Sequence, residues 1–158
     1  MNSLIPEEMK RNGRAVLEGF KPEELLFFRF DAEDLEQGEL SIQSISIPDQ
    51  STNWSRLGPA EWLRLCEYPK FANCGLVEIA VNGIPPDIID EGGTEYRIIP
   101  THVPLEENYP HSEIRIFKSG NHISYDERRK LSKTAKLKYR DSIRRRANPT
   151  SAARCMKK

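Results

Sequence analysis

Two histidines and a glutamate fall within twelve residues, in Thr101-His102-Val103-Pro104 and Asn108-Tyr109-Pro110-His111-Ser112-Glu113. Imidazole titrates near neutrality, so a pair of rings can divide general-acid and general-base roles, as in metal-independent cleavage of RNA or another phosphodiester. His102 and His111 are the candidates for that pair. Glu113 stands beside them, and Arg29 or Arg115 is the cation to meet developing negative charge. Two other readings stand beside this one. The two rings with Glu113 or Glu106 could supply metal ligands, or both histidines could simply hydrogen-bond loop backbone. No nucleophile elbow, phosphate-binding glycine loop, zinc-helix signature or Cys–His signature is present. The double glycine Gly92-Gly93 sits in an acidic loop that repels phosphate, and no cofactor or metal is assigned.

Catalysis by the pair requires the strands around it to bring the rings together. EYRIIPTHV (95–103) and SEIRIF (112–117) read as strands, with Pro100 pushing the far end of the first to an edge or a bulge. If they form a hairpin, the two rings lie at one end of a sheet. GLVEIAV (75–81) is a further strand ending at the turn signal Asn82-Gly83. LLFFRF (25–30) is a buried strand or the end of a short helix, and LSIQSISI (40–47) alternates with a phase slip at Gln43-Ser44 that suggests a bulge. Residues 6–19 read as a helix, with Pro6 in its first turn, Gly19 at its end, and Met9, Val16 and Leu17 as its apolar stripe. Residues 48–58 and 84–94 read as loops, and Pro59 opens a short helix through Leu65.

Other residues compete for a role. Arg29 is a cation in an apolar run, which is costly unless paired. It either bridges Glu78 or Glu113, or projects into a pocket and binds an anion. Trp54, among the small polar residues 51–56, either stacks on a base or folds back onto the core.

The charge is divided along the chain. Residues 1–114 hold nine Lys/Arg and twenty-one Asp/Glu, net −12, and residues 115–158 hold fifteen and three, net +12. A basic arm on an acidic body suits a polyanionic or acidic partner. Ser124 and Glu127 form a capping box, and a helix is expected from there to Ala147, before Asn148-Pro149. Arg129, Lys133, Lys136, Arg140 and Arg144 then share its outer face, and Leu131, Ala135, Tyr139 and Ile143 give it only a thin apolar stripe. Such a face binds nucleic-acid phosphates, or neutralises the acidic body of its own chain, a second copy or another protein. No sequence-reading module is recognisable, so any nucleic-acid contact would be mainly to the backbone.

No run of eighteen apolar residues predicts a membrane span, and the N-terminal residues do not read as a secretory signal. Cys66, Cys74 and Cys155 are an odd, scattered set that reads as reduced thiols, in a cytoplasmic setting.

Asn53-Trp54-Ser55, then Gly75 at the head of a strand, then His102-x-Pro104-x3-Asn108-x2-His111-x2-Ile114 resembles a pattern in small uncharacterised bacterial proteins. The resemblance covers roughly residues 25–117. It implies a bacterial or mobile-element context and singles out His102, Asn108 and His111.

The resulting expectation is an α+β fold, a small, mostly antiparallel sheet of four or five strands with short packing helices and a long basic C-terminal helix. Its divisions are an N-terminal helical segment (1–24), a core (25–118), the basic helix (122–148) and a disordered tail (149–158). The expected function is a non-enzymatic binding protein whose basic helix engages nucleic acid or an acidic protein surface, as a homo-oligomer or a subunit of a larger system. The alternative is the small histidine-dependent hydrolase.

Overall fold

The computed structural model describes residues 4–36 and 39–149. Ten strands form in chain order. They are β1 (Leu25–Phe30), β2 (Leu35–Glu36), β3 (Glu39–Leu40), β4 (Gln50–Trp54), β5 (Gly75–Ala80), β6 (Asp87–Ile89), β7 (Glu95–His102), β8 (His111–Lys118), β9 (Asn121–His122) and β10 (Asn148–Pro149). One α-helix, α1, spans Lys133–Arg146. The main sheet runs β10-β5-β1-β4-β8-β7-β6, with β9 also on β8, and its pairings are antiparallel. The fold is α+β, as the sequence suggests.

The sheet has a different environment on each face. Side chains alternate along a strand with period two. On β8, Ser112, Ile114 and Ile116 are buried, while His111, Glu113, Arg115 and Phe117 on the other side are half-buried. The first face joins Leu26, Phe28, Val77, Ile79 and Ile98 in the main core, where α1 lays down Ala135, Tyr139 and Ile143. Tyr139 locks the helix to the sheet. It accepts from the Gln50 backbone N–H at 2.9 Å and donates to the Ile114 carbonyl at 2.6 Å. Burial pushes its phenol well above the ordinary range. The opposite face carries a smaller cluster of Phe27, Leu76, Cys74, Ala60 and Leu63, under a 3-10 turn at Ala60–Arg64 that follows Pro59 as expected.

The hairpin between β7 and β8 forms in the expected register, with His102 opposite Ser112. Pro100 lies beyond the stretch of β7 that pairs with β6, which is where a residue lacking an N–H is tolerated.

Several local expectations are corrected. Residues 6–19 are not a helix. A single 3-10 turn at Glu7–Met9 is followed by Asn12 and Gly13 at φ +49° and +75°, which helical geometry does not allow, and the chain runs on as an extended strap. The phase slip at Gln43-Ser44 is a 3-10 turn, Ile42–Ser44, that turns Leu40 and Ile45 into the core. The presumed loop 48–58 contains β4, which lies inside the sheet between β1 and β8. Its polar residues survive there because they are satisfied. Thr52 donates to the Ser112 carbonyl, and Gln50 both donates to the Ser51 carbonyl and accepts from the Ser46 N–H. The expected loop 84–94 contains β6, so the sheet has eight strands rather than four or five.

The C-terminal helix is split. The Ser124–Glu127 capping box starts a 3-10 turn, Tyr125–Lys130, after which Leu131 is extended and buried. Ser132 then caps α1 by accepting from the Ala135 N–H at 3.0 Å. Asn148-Pro149 ends the helix and pairs with β5. Cys155 and the tail expected to be disordered lie, apart from Pro149, outside the described residues.

Candidate functional site

The two histidines have been brought to opposite ends of one short loop, and they do different things. His102 is 3% exposed. Its Nδ1 accepts from the Leu17 backbone N–H at 2.9 Å, and its Nε2 donates to the Tyr109 carbonyl at 2.7 Å. The ring also packs edge-on against Trp54 and Tyr109. Burial holds its pKa below the ordinary histidine value. Both nitrogens are occupied by backbone, so His102 fixes the N-terminal strap across the loop and has no lone pair or proton for a substrate or metal. The expected acid–base role for His102 is corrected on that geometry.

Around it, the residues of the Asn-Trp-Ser…His pattern form one connected network. Asn53 and Asn108 exchange amide hydrogen bonds at 3.0 and 2.7 Å in the interior. Ser55 accepts from the Leu25 N–H, and the Trp54 N–H donates to the Pro110 carbonyl. Trp54 is fully buried, stacked on Phe20 at 3.8 Å, with its Nε1 on Glu24 and the Arg56 guanidinium over its ring. The base-stacking role for Trp54 is therefore corrected, since no face of it reaches solvent. Tyr109 completes the knot by donating to the Ala15 carbonyl at 2.6 Å.

His111 is open where His102 is closed. Its Nδ1 donates to the Val103 carbonyl at 2.7 Å, which leaves the Nε2 lone pair free to face the Ser51 hydroxyl at 3.4 Å. Both side chains line a groove of about 1110 Å³. Leu63, Phe71 and Leu105 give it apolar walls, and Asp31, Asp34, Glu67 and Glu107 give it an acidic rim. Arg29 reaches the same groove. It makes neither expected ion pair, but stacks on Phe71 at 3.6 Å and donates to the Leu63 carbonyl at 3.2 Å. Glu113 lies opposite Ser51 in register and pairs with Arg115 at 2.8 Å. Ser51 carries no sequence motif, and only the register of β4 on β8 finds it. The third histidine, His122, binds Asp49 at 2.9 Å, and burial raises the Asp49 carboxyl above its usual range.

Four of the five expected basic residues share a face of α1, namely Lys133, Lys136, Arg140 and Arg144. Arg129 is separated from them by the break at Leu131. Arg140 donates its Nε–H to the Ile45 carbonyl, and Arg144 and Arg145 pair with Asp141. Lys130 pairs with Glu127 and holds its carboxyl at about 2. Among the described residues, Arg129, Lys133, Lys136 and Arg146 make no ion pair or side-chain hydrogen bond.

Among the described residues, no cluster of three or more histidine, cysteine or acidic side chains is arranged to hold a metal ion, and no helix is long and apolar enough to cross a membrane. No family model, no curated protein and no solved structure matches the chain.

Proposed function

We propose that this is a nucleic-acid-binding protein that grips the phosphate backbone through the basic segment 124–149, with no chemistry required for that role. The carrying observation is that, although Lys138 and Arg140 donate to the backbone carbonyls of Ile89 and Ile45, the segment forms no ion pair with the rest of the described molecule. It holds ten Lys/Arg against three Asp/Glu, a net of +7. Its ion pairs run to its own Glu127 and Asp141, and among the described residues none reaches the acidic body. A helix that served to neutralise that body would place its cations on the body's carboxylates.

Helix electrostatics distinguish which cations serve the fold. Arg144, Arg145 and Arg146 occupy the last turn, where positive charge complements the helix dipole. Lys133 and Lys136 occupy the first turn, where the dipole disfavours them and where no acidic residue offsets them. Folding gives no reason for those two lysines. Two unpaired lysines about one turn apart on one face of the helix suit a polymer of regularly spaced phosphates.

The phosphodiesterase reading is weaker. It needs His102, whose nitrogens are both taken, and a groove free of the carboxylates that would repel an anionic substrate.

The test is a Lys133→Glu/Lys136→Glu chain titrated against short RNA and duplex DNA. The two reversals are expected to weaken binding on the order of 100-fold at low salt. Unchanged affinity would refute the assignment. If the unaltered chain binds neither RNA nor duplex, the basic segment instead meets an acidic protein surface.

A further inference from the structure

We infer that the groove on the other face of the sheet is an acyl-transfer site, in which Ser51 is the nucleophile and His111 its general base, acting on a neutral or cationic carboxylic ester. The inference is independent of the nucleic-acid reading.

Three observations converge on it. The first is the tautomer. The Nδ1–H of His111 is committed to the Val103 carbonyl at 2.7 Å, so the neutral ring carries its lone pair on Nε2, in a fixed orientation. A nucleophile–base pair needs this third, orienting group. The second is the pair itself. Ser51 and His111 are diagonal neighbours across β4 and β8, where the register sets Ser51 opposite Glu113 and Asn53 opposite His111. The hydroxyl and Nε2 are 3.4 Å apart, long for a hydrogen bond but within the looser range of such pairs when no substrate is bound. Both residues sit on strands inside the sheet, which holds them more firmly than a loop would. The third is the surroundings. The pair opens into the 1110 Å³ groove, so a substrate has access. Leu63, Phe71 and Leu105 can receive an apolar acyl or alcohol portion. Asp31, Asp34, Glu67 and Glu107, against the single guanidinium of Arg29, select against phosphate and other anions.

The reaction balances with water as the co-reactant. Ser51 Oγ attacks the ester carbonyl carbon, and its proton passes to His111 Nε2. The carbon–oxygen bond to the alcohol breaks, and Nε2 returns the proton to the departing alkoxide. The product of this half is an acyl-Ser51 and a free alcohol. Water, deprotonated by Nε2, then attacks the acyl carbon. The acid leaves, and the proton returns to Ser51 Oγ.

The experiment uses the full chain, a fluorophosphonate probe and p-nitrophenyl butyrate. Intact-mass and peptide mapping are expected to place one phosphonyl group on Ser51 in the folded protein. Labelling should vanish in Ser51→Ala and in urea-unfolded chain, and slow by about 100-fold or more in His111→Gln, in line with the usual worth of a general base. Ester hydrolysis should follow the same order. Ser51 is exposed, so Ser51→Ala is expected to fold, and far-ultraviolet circular dichroism checks that both variants do. If His111→Gln fails to fold, Ser51→Ala and the unfolded control still decide. The proposal is overturned by any of three results: no labelling of the folded chain, labelling at another residue that persists in Ser51→Ala, or labelling equally fast when the chain is unfolded.

Discussion

The two faces of the sheet handle polarity in opposite ways. Under α1 every polar group has a fixed partner. Tyr139, Gln50 and Thr52 are all satisfied, and the helix turns its free lysines outward. On the other face the Asn53–Asn108 pair is closed on itself, but His111, Ser51 and Arg29 border open space. His102 and His111 condense that contrast into two rings at either end of residues 103–110. One accepts at Nδ1 and donates at Nε2, both to backbone. The other donates at Nδ1 and keeps its Nε2 lone pair toward solvent and a hydroxyl. A histidine's chemistry is decided by what its second nitrogen meets, and residue type and spacing do not record that.

The covered face should be the easier to break. Tyr139→Ala removes a fully buried aromatic ring and two hydrogen bonds, and is expected to cost about 4 kcal/mol in urea unfolding. Tyr139→Phe keeps the ring and should cost about 2 kcal/mol, because the Gln50 N–H and the Ile114 carbonyl lose their partner. Equal losses in the two variants would mean that packing contributes little to the docking of α1.

A pH series sharpens the comparison of the histidines. Burial lowers the pKa of His102, so between the ordinary value near 6.5 and the folded value the unfolded chain binds the proton that the native chain refuses. Its contribution is therefore complete above pH 6.5 and is lost as pH falls below that. Measured between pH 7.5 and 5, the native chain should lose stability, and His102→Gln, less stable throughout, should show a shallower decline. Parallel curves would remove His102 as the cause. On the open face Ser51→Ala should change stability by less than about 0.5 kcal/mol and leave nucleic-acid affinity unaltered.

The α+β class was legible from alternating strands, and the β7–β8 hairpin from its periodicity and short Pro-bounded loop. The stripe Leu131, Ala135, Tyr139 and Ile143 is buried along the spacing read from the sequence. Where the reading failed, long-range contacts outweighed local composition. Gln50-Ser51-Thr52-Asn53 has the residue types of a loop, yet lies inside the sheet because distant Ser112, Asn108 and Tyr139 satisfy it. The N-terminal helix was lost to left-handed backbone at Asn12 and Gly13. The single long basic helix was lost to Leu131, whose burial calls for an extended residue between two caps. Of the site, the importance of His102, Asn108 and His111 was legible, but their division into a structural knot and an open ring depends on backbone partners that no spacing reveals.

The most direct test of the central claim is the salt dependence of binding to a short RNA and a short duplex DNA. The free cations Arg129, Lys133, Lys136 and Arg146 would each displace condensed counterions on contact. If about four phosphates are engaged, affinity should fall on the order of 100-fold between 50 and 200 mM salt, with little dependence on sequence. The fall should become shallower by about two contacts in Lys133→Glu/Lys136→Glu. A flat salt response, or no binding at 50 mM, would contradict the account.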